Sequence, residues 1–159
     1  ADAAVLASAV DEANALGSHR YEVRIAFDTG HANLYLTREQ PGKTVVDWLR
    51  TAGARIGQLH IHGNRGWNGR INDDHLMPGY AGRLGYADAI GRAGLWVEYY
   101  HTLLAECRYR GPFTYEISTR TFGTVAGEER SDNVSAPWTI AHNYDTYLYP
   151  AFREYANRK

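Results

Sequence analysis

Residues 23–28, VRIAFD, are the stretch that decides the fold, because they read as a buried β-strand that ends on an acid. Apolar residues alternate with others along this run, as they do in a strand that packs one face on a core. Residues 57–62, GQLHIH, and residues 113–118, FTYEIS, have the same character. Each run carries a metal-type side chain at or near its carboxyl end, namely Asp28, His60 and Glu116. The three runs therefore predict strands that present metal ligands.

The residues on either side of the first strand predict helices. Apolar spacing predicts a helix over residues 3–16, which Gly17 ends. The face of this helix that we expect to be buried comprises Val5, Leu6, Ala9, Val10, Ala13 and Leu16. After the strand we expect a loop that contains Pro41 and Gly42. Thr44, with Asp47 as its capping-box partner, then predicts a helix that Gly53 ends.

Two further helical regions follow the second strand. Residues 95–107 have helical periodicity, and their expected apolar face comprises Trp96, Tyr99, Tyr100, Leu103 and Leu104. After a polar connection, Pro137 opens a last helical region that runs to about Tyr149 and that Pro150 breaks. The alternation of helices and strands predicts a parallel sheet with crossover helices. In such α/β folds the chemistry gathers at the carboxyl ends of the strands, where the candidate ligands lie.

The composition indicates one globular domain and excludes several classes of protein. The chain has 159 residues, of which 44% are hydrophobic and 22% charged. A net charge of −1, without a run of basic residues, gives no reason to expect nucleic-acid binding. The single cysteine, Cys107, excludes an internal disulfide framework, and we expect it to be a core thiol. The sequence has no apolar run long enough for a membrane span and no signal peptide, so we expect a cytoplasmic protein. Because its first residue is Ala1 rather than methionine, we also expect that the chain was trimmed or processed.

Each candidate ligand also has an ordinary structural interpretation. Asp28 suits a metal, with His31 beside it, but an aspartate that caps the next segment fits the spacing equally well. His60 and His62 fall on one face of their strand, where a lone histidine would usually be a hydrogen-bonded core residue. Glu116 is expected to be buried and to need a metal, a proton or an arginine as partner. Arg24 and Arg120 are candidates for that arginine.

The long loop after the second strand carries a second set of candidates. Residues 63–85 are polar and glycine-rich, and a loop of that length in a small domain is often functional. Asp73 and His75 form a further carboxylate–imidazole pair, although such a pair is often only polar surface. Trp67 and Arg65 suit a sugar face and an anionic group, respectively, but ordinary loop contacts explain them as well.

Four motifs in this order resemble one superfamily of enzymes. DTGHANL at 28–34, GQLHIHGN at 57–64, DDHLMPG at 73–79 and FTYEIS at 113–118 resemble the second half of the xylose isomerase-like TIM barrels. That superfamily includes sugar-phosphate isomerases and epimerases, inosose dehydratases and the endonuclease IV enzymes that act on abasic DNA. The resemblance covers residues 1–120. Residues 121–159 have no counterpart in it, and we expect them to form an extension with a helix that packs on the barrel.

The resemblance implies a role for each candidate residue. It implies metal ligation by Asp28, His60 and Glu116, with Asp73 and His75 as further candidates. The metal would be Mn²⁺, Zn²⁺, Mg²⁺ or Co²⁺. It also implies that Glu116 and His31 are catalytic, and the expected substrate contacts are His31, His62, Arg65 and Trp67. Two departures from the family pattern indicate an altered pocket, namely His62-Gly63-Asn64 and the segment from Pro78 to Gly82.

Only half of a barrel is present in this pattern. A complete (β/α)8 barrel has eight strands in about 250 residues, whereas three strands are predicted here. We therefore expect a C-terminal half barrel that a second polypeptide, or another fragment of a cleaved precursor, completes. That partner would also supply the glutamate that usually completes the metal shell.

The expected activity is proton transfer next to a carbonyl group of a sugar or polyol, as in isomerases, epimerases and dehydratases. Two other functions remain open. One is an endonuclease IV-like phosphodiesterase that uses all of the ligands, and the other is a non-catalytic subunit of a heteromeric complex.

Overall fold

The computed structural model describes residues 2–16, 21–76, 78, 93–117, 145 and 148–157. Its helices are α1 (Ala3–Ala15), α2 (Thr29–Glu39), α3 (Val45–Ala52), α4 (Ala93–His101) and α5 (Tyr149–Asn157). Its strands are β1 (Ile25–Asp28), β2 (Ile56–Ile61) and β3 (Phe113–Tyr115). A 3₁₀ turn at Gly53–Arg55 links α3 to β2, and a π-helical turn at Thr102–Glu106 extends α4.

The three strands form a parallel sheet in the order β1-β2-β3. This arrangement confirms the predicted mixed α/β class with parallel strands. Asp28 pairs with His60, and His60 pairs with Thr114, so the carboxyl ends of the strands lie at one edge of the sheet. Glu116 follows directly after β3, and its backbone N–H donates to the carbonyl of Ile61. The register therefore brings the candidate ligands to the same end of the sheet.

Large apolar and aromatic side chains fill the core between the sheet and its helices. The predicted apolar face of residues 95–107 is buried: Trp96, Tyr99, Tyr100, Leu103 and Leu104 are at most 3% exposed. The predicted capping box at the start of α3 is also present, since Thr44 and Asp47 each bond the other's backbone N–H. Cys107 is buried and its thiol lies 3.2 Å from the carbonyl of Leu49, as expected for a core thiol. Burial raises the pKa of this thiol to about 11, so it stays protonated and unreactive.

The predicted buried face of the first helix is correct at Val10, which is 6% exposed, but wrong at its large residues. Leu16, Val5 and Leu6 are 86%, 62% and 42% exposed, and α1 buries Ala3 and Ala7 beside Val10. Small side chains let the helix lie close to its neighbours. The prediction relied mainly on the spacing of large apolar residues and therefore did not identify this face. The first strand is also shorter than predicted, because it begins at Ile25 rather than at Val23.

Two other helix boundaries differ from the prediction. The loop containing Pro41 and Gly42 is present but shorter than predicted, because α2 begins at Thr29, where the Asp28 carboxylate caps it by accepting from the His31 backbone N–H at 2.9 Å. Pro150 does not break a helix but lies in the first turn of α5, where its missing N–H is not needed. Other predictions, including Gly17, Arg120, the segment after Pro78 and the boundary at 120/121, lie outside the described residues.

The helix of the C-terminal segment that the structure describes packs on α4. Among the described helices, none has both the length and the apolar character that crossing a membrane requires.

Candidate metal centre

Asp28 is the structural centre of the polar cluster at the carboxyl edge of the sheet. Besides capping α2, its Oδ2 lies 2.8 Å from His31 Nδ1, and its Oδ1 accepts a hydrogen bond from His62 Nε2 at 3.1 Å. The same carboxylate can therefore both cap α2 and act as a metal ligand. Partial burial opposes ionisation of Asp28, but the bonds from His62 and His31 hold its pKa well below the usual range. Asp28 is thus a carboxylate at neutral pH.

His31 bridges two carboxylates. Its Nε2 lies 3.2 Å from Asp73 Oδ2, while its Nδ1 faces Asp28. Desolvation favours the neutral ring, but Asp28 and then Asp73 outweigh it and raise the pKa of His31 above its ordinary value of 6.5. The side chain is 55% exposed, so it remains open to a ligand. His31 therefore lies at the mouth of the site between two carboxylates that favour its protonated form.

His62 is completely buried beneath the cluster. A Cβ on Gly30 would overlap the atoms of its ring, so the glycine leaves the space that the imidazole occupies. The His75 ring stacks on it with a centroid separation of 4.0 Å and an interplanar angle of 7°. Nδ1 of His62 is buried without a hydrogen-bond partner among the described residues. Nε2 of His62 therefore bonds Asp28, whereas Nδ1 has no partner among the described residues.

His60 and Glu116 form a separate pair on the neighbouring strands. The side-chain amide of Gln58 donates to His60 Nε2 at 2.9 Å, which leaves the His60 Nδ1–H to donate to Glu116 Oε1 at 2.8 Å. The carboxylate of Glu116 is about one third exposed rather than fully buried. Arg24, one of the two arginines considered as its partner, instead pairs with Glu22. Among the described residues, Glu116 thus pairs with the imidazole of His60 and not with Arg24.

A closed loop carries Asp73 and His75 back to the sheet. Gly63 and Leu76 form an antiparallel bridge, in which each backbone N–H donates to the other's carbonyl at 2.7 Å. His75 has a φ of 49°, in the left-handed region that residues other than glycine rarely adopt. Its Nδ1–H donates to the Glu116 carbonyl at 3.0 Å, so Nε2 carries the free lone pair and lies 3.5 Å from Asp73 Oδ1. Metal-ligating histidines are commonly oriented by such a bond to a backbone carbonyl.

The two predicted substrate contacts of the loop have partners within the protein. Arg65 makes a two-pronged ion pair with Asp74, with distances of 2.8 and 2.6 Å. Trp67 is 37% exposed, and the Arg38 guanidinium lies 5.1 Å from its ring centroid. Arg65 therefore anchors the loop in this structure, whereas part of the indole face stays accessible.

The described residues contain two overlapping groups that could hold a divalent cation. One is Asp28, His62 and Glu116, and the other is His31, His62, Asp73 and His75; within each group the ligand atoms lie within 4.8 Å of one another. His60 belongs to neither group and instead supports Glu116. Three or four nitrogen and oxygen ligands with open positions are typical of a catalytic centre, and they suit Zn²⁺, Mn²⁺ or Co²⁺. The residues present therefore fit a metal of that kind.

An apolar groove leads away from the cluster along the outer edge of β1. It encloses about 240 Å³, and all four residues of β1 line it together with side chains of α1, α2 and α3. Asp28 and His31, which belong to the ligand cluster, are its titratable acid and imidazole. The outer backbone edge of β1 has no strand beside it among the described residues. The groove therefore joins the ligand cluster to an unpaired sheet edge.

Several residues that build the site were not singled out from the sequence. Gly30 seats the His62 ring, Asp74 holds Arg65, and Thr29 links α2 to β2. Asn64, which is completely buried, joins the loop to α2 by donating to the Gly30 carbonyl and accepting from Asn33, both at 2.7 Å. In the sequence, this contact was indicated only by the departure of His62-Gly63-Asn64 from the family pattern.

Comparisons with protein-family models, with curated proteins and with solved structures found no match for this chain.

Proposed function

We propose that this protein is a divalent-metal-dependent isomerase or epimerase that acts on a sugar or polyol. One observation carries the proposal: three carboxylates and several imidazoles, from successive parallel strands, from α2 and from the loop pinned beside them, converge at the carboxyl edge of the sheet. This is the place where α/β folds assemble active sites. The donor set fits a catalytic metal centre with positions left open for substrate oxygens.

Asp28, Glu116 and His62 would hold the ion, with Asp73 and His75 as further ligands. The ion would polarise a carbonyl and a neighbouring hydroxyl of the substrate. Glu116 would move the proton at the adjacent carbon, giving an enediolate, because its carboxylate is accessible and His60 fixes its position. His31, which is exposed and lies between two carboxylates that favour its protonated form, would orient a substrate oxygen. Trp67, whose indole is partly exposed, offers an apolar face for a sugar ring.

We further propose that these strands belong to a (β/α)8 barrel that a second polypeptide, or another fragment of a cleaved precursor, completes. The parallel strand order, the edge of β1 that no described strand pairs with, and the apolar groove beside it support this arrangement. A strand added there would run alongside Asp28 and could bring the second acid–base group of the reaction. An unpaired apolar edge is otherwise an aggregation risk.

The test combines native mass spectrometry with metal analysis of the protein isolated from its source. We expect a complex that contains a second chain and about one divalent ion per barrel, with sugar isomerase activity that Glu116→Gln abolishes. Glu12→Gln, an exposed glutamate on α1, is the matched control and should leave activity unchanged. A metal-free monomer without isomerase activity would refute the proposal.

A second function, hydrolysis of phosphodiesters in abasic DNA, is favoured by one specific observation. The two ligand groups share His62, and adjacent metal ions are characteristic of many nucleases. The net charge of −1 opposes it, because DNA binding usually requires a basic surface. Salt-sensitive cleavage of an abasic duplex by the metal-loaded complex would establish this activity. Activity of the complex that survives Glu116→Ala would instead indicate a non-catalytic subunit.

A further inference from the structure

A chain of buried hydroxyl groups lies behind the candidate metal centre. The Tyr99 hydroxyl, on α4, lies 2.7 Å from Thr29 Oγ1, at the first residue of α2. Thr29 Oγ1 donates in turn to the carbonyl oxygen of His60 at 2.9 Å. Tyr99 is 1% exposed and Thr29 is fully buried, so water does not compete for either bond.

The direction of this chain follows from the protons available. Thr29 has one hydroxyl proton and uses it toward the His60 carbonyl, which can only accept. Thr29 Oγ1 must therefore accept from the Tyr99 hydroxyl. Burial raises the pKa of Tyr99, so this hydroxyl remains a donor across the physiological range.

The chain connects the two segments that carry Asp28, His31 and His62, three of the six candidate ligands. Thr29 follows Asp28 directly and precedes His31 by two positions, whereas the His60 carbonyl lies at the end of β2, just before His62. The distance between the start of α2 and the end of β2 sets the contact between Asp28 and His62, which is 3.1 Å. A small shift there would change the geometry of both ligands.

We propose that Tyr99 and Thr29 are positioning residues for the candidate metal centre, holding Asp28 and His62 in ligand geometry through the His60 carbonyl. The inference rests on the proposed function, since it assigns these hydroxyls to the same metal centre. It makes Tyr99 more than a core aromatic residue, because its hydroxyl fixes the relative positions of two ligands.

Four variants separate positioning from packing. Tyr99→Phe keeps the ring and removes the donor, Thr29→Val removes both bonds, and Thr29→Ser retains the hydroxyl. Tyr109→Phe is the matched control, because the buried Tyr109 also donates its hydroxyl to a carbonyl, that of Pro112 at 2.6 Å, away from the ligand cluster. Mn²⁺ affinity is measured by calorimetry on the protein in the assembly isolated from its source, and folding is checked by circular dichroism.

We expect Tyr99→Phe to weaken Mn²⁺ binding about tenfold and Thr29→Val about 10- to 100-fold, as for other outer-shell partners of metal ligands. Thr29→Ser and Tyr109→Phe should bind like the unaltered protein. The double variant that combines Tyr99→Phe with Thr29→Val should bind no more weakly than Thr29→Val alone, because both changes break one chain. Equal affinity of Tyr99→Phe and the unaltered protein would overturn the inference.

A second measurement tests positioning without metal. Tyr99→Phe should shift the imidazole nuclear magnetic resonance signals of His60 and His62, whereas Tyr109→Phe should not. Unshifted signals would overturn the inference. If the unaltered protein binds none of Mn²⁺, Zn²⁺ and Co²⁺, the proposed function fails, and these signals alone decide whether Tyr99 positions the two histidines.

Discussion

At the scale of single residues, Asp28 combines a structural and a chemical role. Its carboxylate caps α2 through the His31 backbone N–H and also meets the imidazoles of His31 and His62. Asparagine caps helices as well as aspartate does, but it lacks the charge that a divalent cation needs. The two roles can therefore be separated by one substitution.

We expect Asp28→Asn to keep the cap of α2 but to lower the free energy of unfolding at neutral pH by about 1–3 kcal/mol, since the imidazoles of His31 and His62 lose their bonds to a charged carboxylate. Its Mn²⁺ affinity should fall by at least about tenfold, because ligand loss exceeds the effect of altering an outer-shell partner. Urea unfolding and calorimetry measure the two quantities. Asp11→Asn, in a surface pair with Arg55, is the control that should leave affinity intact. Unchanged affinity of Asp28→Asn would show that Asp28 does not bind the metal.

The Asp28–His31 pair makes the stability of the metal-free protein depend on pH. Asp28 has a lowered pKa when folded, so its contribution is present above 3.8 and is lost as the pH falls through the folded value. His31 has a raised pKa, so its contribution is complete below 6.5 and is lost as the pH rises through the folded value. For this pair, stability should be greatest between these limits. The alkaline slope should be shallow, because solvent screens the half-exposed His31.

Urea unfolding from acid to alkaline pH checks this profile. His31→Gln should flatten the alkaline limb and leave the acid limb in place. Mn²⁺ affinity should run in the opposite direction and rise with pH, because a ligand histidine must release its proton. An alkaline limb that is as steep in His31→Gln as in the unaltered protein would contradict the assignment.

At the scale of elements, the sequence predicted strands and helix faces correctly where the apolar pattern matches the residues that are buried. Alternation located β1 and β2, and the aromatic spacing of α4 identified its buried face. It failed at α2, because Asp28, Thr29 and Gly30 have the composition of a turn, and only the three-dimensional cap shows that a helix starts there. It also failed on α1, where alanines rather than Val5 and Leu6 face the core.

Gly30 allows α2 to pack close to β2, because it has no side chain to keep the two apart. Gly30→Ala would place a Cβ inside the His62 ring, and overpacking of this kind costs about 1–3 kcal/mol. The gain in helix propensity, about 1 kcal/mol, offsets part of that cost at most. We expect reduced stability together with weaker Mn²⁺ binding, measured by urea unfolding and calorimetry.

Gly42→Ala is the matched control for that change. A Cβ at Gly42 meets no atom within 4 Å, so its stability should stay within about 0.5 kcal/mol of the unaltered protein. Equal free energies of unfolding for Gly30→Ala and Gly42→Ala would show that the His62 ring does not pack tightly against Gly30.

At the scale of the whole molecule, strand order allowed the meeting place of the ligands to be predicted. The carboxyl ends of parallel strands must share an edge, so Asp28, His60 and Glu116 had to lie close together. Alternation placed His60 and His62 on one face but could not say that Gly30 and His75 would enclose His62. That distinction depends on contacts between segments far apart in the chain, which local patterns do not encode.

The apolar groove beside β1 provides a test of the proposed partner. Leu6 lines it and is 42% exposed, so Leu6→Glu would place a charge where a partner strand should pack. We expect its unfolding free energy to change by less than about 1 kcal/mol. Its affinity for the partner should fall at least about tenfold, equivalent to about 1.4 kcal/mol, in native mass spectrometry at graded concentrations.

Leu16→Glu is the control for that experiment, because Leu16 belongs to the same helical segment but lies outside the groove and is 86% exposed. It should associate like the unaltered chain. Equal association by Leu6→Glu would place the interface elsewhere.

The bridge between Gly63 and Leu76 has an evolutionary consequence. Because its two hydrogen bonds fasten both ends of the intervening segment to each other, residues 64–75 form an interchangeable module whose interior can diverge while the sheet stays intact. New side chains at the positions of that segment other than Asn64, Asp73 and His75 would face the same ligands from the same distance. Selection could thus change what the protein recognises without changing the ligands, and a laboratory library confined to those nine positions would follow the same route.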